Sequence, residues 1–122
     1  MFLKRLGLPG LFYYIKMITK KVKIISDFGL HARYGALASF AASSYGGSKC
    51  SVYINFNDRH VNMKSLLGIL SVNIKKDDII EIECTGVGEN TVIDQIINDL
   101  TTNKIAVNPN QNEEKTNREE II

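Results

Sequence analysis

The chain predicts an α+β fold: a four-stranded antiparallel sheet with three helices on one face, in the order βαββαβα. Three observations carry that prediction. Lys49 to Phe56 alternates strictly between polar and apolar residues, as a half-buried strand does. Asn57-Asp58 follows it and suits a two-residue hairpin, because Asn and Asp tolerate positive φ. Asn90 to Leu100 places Ile93, Ile96, Ile97 and Leu100 at i, i+3, i+4 and i+7, one stripe of a helix. Amphipathic helices beside alternating strands pack most simply on one face of an antiparallel sheet.

The elements follow in order. Lys21 to Ile25 reads as the first strand, stopped by Ser26-Asp27. A turn containing Gly29 leads to His31, and from Ala32 the period becomes helical. Leu37, Phe40 and Ala41 share the face expected to point inward, with small Ala36, Ala38 and Ala42 around them. Gly46-Gly47 ends this helix. On the next strand Cys50, Val52, Ile54 and Phe56 face the core, and the return strand from Arg59 brings in Val61 and Met63. Ser65 caps a short helix running to about Leu70. Leu66, Leu67, Ile69 and Leu70 crowd that helix, so some leucine surface is expected to stay exposed, as a docking patch would. After the polar turn Lys75–Asp78, Ile79 to Cys84 forms the last strand, with Ile80, Ile82 and Cys84 inward. The isoleucine-striped helix closes the unit.

Composition narrows the function classes. The chain has 122 residues, 44% apolar, enough for one modest core. Its net charge of +2 is unevenly placed. Lys4, Arg5 and Lys16 lie in residues 1–16 without an acid, whereas residues 17–103 hold nine basic and nine acidic side chains. A balanced domain without a basic stripe or paired aromatic strand signature argues against nucleic-acid binding. Cys50 and Cys84 read as buried thiols of a reducing compartment, and no CxxC pair or His spacing points to zinc. No metal and no cofactor is expected.

Residues 1–16 read as an N-terminal extension or a start-site artefact. Pro9-Gly10 breaks the apolar run, no small-residue cleavage site follows, and Met17 stands just before the first strand. The run is also far shorter than the about 20 residues a membrane span needs. The domain is placed at 17–103, and the polar segment 104–122 reads as a disordered tail.

Gly29-Leu30-His31-Ala32-Arg33 carries the chemistry. A helix start offers unpaired N–H groups and a positive dipole end, which suit a phosphate. His31 there is a candidate nucleophile, and Arg33 supplies a fork of donors for phosphoryl oxygens. On spacing alone His31 also fits a surface turn residue, and Ser65 a plain N-cap. His60, turned from the core by alternation, reads as a solvated surface residue.

Two motifs then resemble a known family. Gly29 to Arg33 looks like the active-site signature of HPr, the histidine-containing phosphocarrier of the bacterial sugar phosphotransferase system. Val61-Asn62-Met63-Lys64-Ser65-Leu66-Leu67-Gly68-Ile69-Leu70-Ser71 is similar to that family's regulatory serine segment. The resemblance covers about residues 17–103 and implies the family's open-faced β-sandwich. It implies that His31 accepts a phosphoryl group on Nδ1 from enzyme I and passes it to a sugar-specific enzyme IIA, with Arg33 neutralising the group. It implies ATP-dependent phosphorylation of Ser65 by HPr kinase/phosphorylase, with a transcriptional regulator as a further partner. Leu66, Leu67 and Leu70 would be docking surface. The protein would be a cytoplasmic monomer, and a carrier rather than an enzyme. The chain departs from the pattern at Tyr34, where the family usually has proline, and in the loop around Ser43 to Ser48, which looks slightly longer than the family's. Proline presets φ in the first helical turn, so tyrosine costs about 0.4–1 kcal/mol through the freer unfolded chain. This departure favours a second reading, a regulatory module acting through Ser65 with the transport role reduced.

Overall fold

A computed structural model describes residues 16–109. Its elements are β1 (Lys16–Ile24), α1 (Ala32–Gly46), β2 (Cys50–Phe56), β3 (Arg59–Asn62), α2 (Leu66–Val72), β4 (Ile79–Gly86), α3 (Glu89–Thr102) and β5 (Ala106–Val107). The strands pair antiparallel in the order β3-β2-β4-β1-β5. The helices cover one face, as the α+β open-faced sandwich requires.

The alternation in β2 sets the register. Val52 lies opposite Cys84 and Ile54 opposite Ile82, so the inner residues of β2 and β4 meet on one face. Val22 and Ile24 of β1 join them, and Ile93, Ile96 and Leu100 of α3 close the layer above, all buried. Asn57 and Asp58 make the hairpin with φ of 50° and 63°, which gives both central residues the twist a two-residue turn demands. On the outer face, Asn55 Nδ2 donates to Oε1 of Glu81 at 3.1 Å and of Glu83 at 3.0 Å. His60, though exposed, is not simply solvated: its Nδ1 lies 2.6 Å from Asn55 Oδ1, and its ring stacks on Tyr53 at 4.2 Å.

Three expectations need correction. The sheet has five strands rather than four. β5 lies within the segment read as a polar tail, where Ile105 and Ala106 are buried and Ile25 N donates to Ile105 O at 2.8 Å. A two-residue strand is too short for alternation to reveal it. Second, Lys16 opens β1 instead of closing an extension, and β1 starts five residues before the expected Lys21. Apart from half-buried Ile18 its early residues are exposed, so no apolar period marks them. The readings for 1–15 and 110–122 lie outside the described residues. Third, the inward face of α1 is Gly35, Ala38, Ala41, Ala42 and Gly46, while Leu37 is 39% and Phe40 70% exposed. The small face lets α1 approach its neighbours closely: a Cβ on Gly35 would meet Leu66 Cδ1 at 3.2 Å.

Candidate functional site

The approach to α1 is built from backbone. Gly29 has φ +65°, a left-handed conformation that glycine adopts without cost. Buried Ser26 fixes the turn, its hydroxyl donating to Gly29 O at 2.8 Å while Gly29 N donates back to Ser26 O at 3.0 Å. Leu30 is 2% exposed, and its N–H donates to Ile74 O at 3.0 Å. The chain before His31 is therefore pinned to the segment after α2.

His31 is the N-cap of α1, with φ −99° and ψ −165°. Its carbonyl accepts from Gly35 N at 2.7 Å and starts the helix. Its side chain makes no capping hydrogen bond and is exposed. No acidic residue stands in the first turn of α1, so nothing there offsets the positive end of the helix. The imidazole meets Phe28 edge to face, with centroids 5.5 Å apart and an interplanar angle of 66°. Both rings line a cleft of about 420 Å³ with Leu30, Leu70, Ile74 and Lys75.

Arg33 is exposed on the first turn, and its Cζ lies 5.8 Å from the centroid of the Tyr34 ring. Tyr34 is half-buried and packs against the core. The contacts of Phe28 with His31 and of Tyr34 with Arg33 are invisible to spacing arguments. The departure at Tyr34 was the sequence signal that pointed nearest to them.

Ser65 is the N-cap of α2, its Oγ accepting from Gly68 N at 3.1 Å. The neighbouring Lys64 is turned away. Its Nζ donates to Gly47 O and Cys50 O, each at 2.6 Å, and ties the end of α1 to β2. Of the leucines, Leu67 is 79% exposed, whereas Leu66 and Leu70 are half-buried and Ile69 is buried. Leu70 shares the cleft with His31, and Leu66 packs toward Gly35 of α1. Ser65 does not line that cleft.

Cys50 and Cys84 are buried free thiols. Cys50 Sγ donates to Val87 O at 3.1 Å. Burial, then the neighbouring Glu89, pushes the Cys50 thiol up from its ordinary value. Burial, followed by the adjacent Cys50 and Glu83, pushes Cys84 up to about 12. Thiols held protonated are poor nucleophiles, so the cysteines are structural. Among the described residues no helix is long and apolar enough to cross a membrane.

Known proteins share this chain's fold and sequence pattern. Phosphocarrier protein HPr from Neisseria meningitidis serogroup A is 34% identical over 73 residues, covering 60% of this chain and 79% of its own length, and that of serogroup B matches equally. A histidine-containing phosphocarrier protein of Mycoplasma, 23% identical, shares the fold with a TM-score of 0.65 over 72% of this chain and 97% of its own. HPr from Thermoanaerobacter tengcongensis is 28% identical, with a TM-score of 0.61 over 73% of this chain and 93% of its own. HPr from Bacillus anthracis is 26% identical, with a TM-score of 0.61 over 68% of this chain and 95% of its own. The family model described as the PTS HPr component phosphorylation site matches residues 18–102, well over half of the sequence, and the chain belongs to the HPr family of phosphocarrier proteins of the phosphotransferase system.

Proposed function

We propose that this protein carries a phosphoryl group on His31, accepting it from phosphorylated enzyme I and delivering it to a sugar-specific enzyme IIA. The supporting observation is the exposed His31 ring at the mouth of α1, free of any capping bond. The Nδ1 lone pair attacks phosphorus as the bond from phosphorus to enzyme I breaks. The first-turn N–H groups and the Arg33 guanidinium share the charge of the transferred group. Delivery is the same step in reverse, with the acceptor's nucleophile displacing His31. In this reading the protein is a relay between two larger proteins rather than an enzyme. It works as a cytoplasmic monomer.

Phosphorylation at Ser65 is the regulatory layer. The hydroxyl sits at a helix start with no acid in the first turn, where about −1.5 to −2 added charge is tolerated. The same charge beside exposed Leu67 repels an acidic partner without unfolding the domain. HPr kinase/phosphorylase would write this mark, and a transcriptional regulator would read it.

The test is incubation with enzyme I and phosphoenolpyruvate. One acid-labile phosphate per chain is expected, and none on His31→Ala. An unlabelled wild-type protein overturns the carrier reading. Labelling only at Ser65, by HPr kinase and ATP, would instead establish the regulatory module.

A further inference from the structure

We propose that Tyr34 is a positioning residue for Arg33, its ring face being the platform that holds the guanidinium at the start of α1, two residues from His31. The inference rests on the phosphocarrier reading and assigns a role to the residue that follows the Gly29–Arg33 motif, where the family usually has proline.

Adjacent residues on a helix point about 100° apart and do not face each other. The Arg33 head nevertheless lies over the Tyr34 ring. At 5.8 Å from the centroid it lies within the about 6 Å range of a cation–π contact. The ring itself is anchored, half-buried against the core, so it is a fixed surface rather than a second mobile side chain. Among the described residues Arg33 makes no ion pair, the salt bridges being those of Lys20, Lys23 and Lys76, and no side-chain hydrogen bond. The ring thus decides where the head waits. A guanidinium held over a ring is attracted through its charge, so its N–H donors stay available to phosphoryl oxygens. Holding the donor group in place before transfer lowers the ordering cost of the transition state.

The test combines a double-mutant cycle with a spectroscopic readout. Phosphorylation by enzyme I is measured for wild type, Tyr34→Leu and Tyr34→Phe, each with Arg33 and with Arg33→Ala. Tyr34→Leu is expected to slow the saturated transfer rate about two- to fivefold, equivalent to about 0.5–1 kcal/mol. Tyr34→Phe keeps the ring and restores the rate. In the Arg33→Ala background the leucine has no further effect. Equal slowing in both backgrounds, or no slowing in either, overturns the proposal. Tyr34→Pro repeats the cycle should Tyr34→Leu fail to fold, because an N–H in the first helical turn has no intrahelical partner to lose. Independently of transfer, the Arg33 Nε–Hε proton is expected to shift upfield over the ring in wild type and Tyr34→Phe, and to lose that shift in the ringless variants. An unchanged resonance in those variants removes the platform, whatever enzyme I does. A retained ring shift with no enzyme I labelling of wild type defeats the carrier reading alone.

Discussion

Leu30 N–H donates to the carbonyl of Ile74 at 3.0 Å, and a Cβ added to Gly29 would sit 2.2 Å from that same oxygen. One backbone contact therefore fixes the approach to His31 and forbids any side chain at position 29. Gly29→Ala adds left-handed strain of about 1–2 kcal/mol to an overpacking cost of about 1–3 kcal/mol. A loss of about 2–5 kcal/mol is expected in urea unfolding. Phosphate transfer should fall as well, since relief requires the turn before His31 to move. A stable, fully active Gly29→Ala protein would show that the contact is not a constraint.

Ser65 separates capping from signalling. Ser65→Ala leaves the Gly68 N–H without its acceptor and should cost about 1 kcal/mol. Ser65→Asp keeps an acceptor and adds a charge that the helix start favours, so its stability should stay within about 0.5 kcal/mol of wild type. Enzyme I labelling is expected to be normal in the alanine variant and slower in the aspartate variant. Equal labelling of the two would remove charge at Ser65 from the regulatory argument.

What was legible in the sequence follows from which physics leaves a periodic trace. The strand from Cys50 and the stripe Ile93, Ile96, Leu100 were readable because each buries one face with large apolar side chains. The α1 face was misjudged because close packing selected Gly35, Ala38, Ala41 and Ala42, while larger Leu37 and Phe40 turned outward. Hydrophobicity ranks these residues in the opposite order from their burial. β5 escaped because it is held by pairing to Lys23 and Ile24 rather than by any local pattern. At the candidate site, the placement of His31 and Arg33 at the start of α1 and of Ser65 as an N-cap was readable from turn and capping chemistry. Phe28 against His31 and the Arg33 head on Tyr34 were not, because ring contacts depend on side-chain direction rather than spacing.

The hairpin gives a gain-of-stability test. Asn57 and Asp58 both hold positive φ, 50° and 63°. Glycine at the second position removes Cβ strain there, partly offset by its larger unfolded-state entropy. Asp58→Gly is expected to stabilise by about 0.5 kcal/mol and Asp58→Val, whose branched side chain suits this region poorly, to destabilise. Urea midpoints in the reverse order would show that the turn does not hold this geometry.

Cys84 links burial to alkaline stability. Burial, with Cys50 and Glu83 adding to it, raises the folded thiol to about 12 from an ordinary 9.0. Between those values the unfolded chain releases the thiol proton while the folded chain retains it. The unfolded state then binds fewer protons, so stability falls as pH rises through that window and is fully present below about 9. Urea unfolding between pH 7.5 and 10.5 should show that fall. Cys84→Ala carries the same lysines but lacks the buried thiol, so its decline should be shallower even though the small cavity lowers its stability at neutral pH. In the folded protein at pH 8, neither Cys84 nor Cys50 should react with a thiol reagent, and both should react once urea exposes them. Parallel pH slopes for the two proteins would mean that the proton on Cys84 is held no more tightly folded than unfolded.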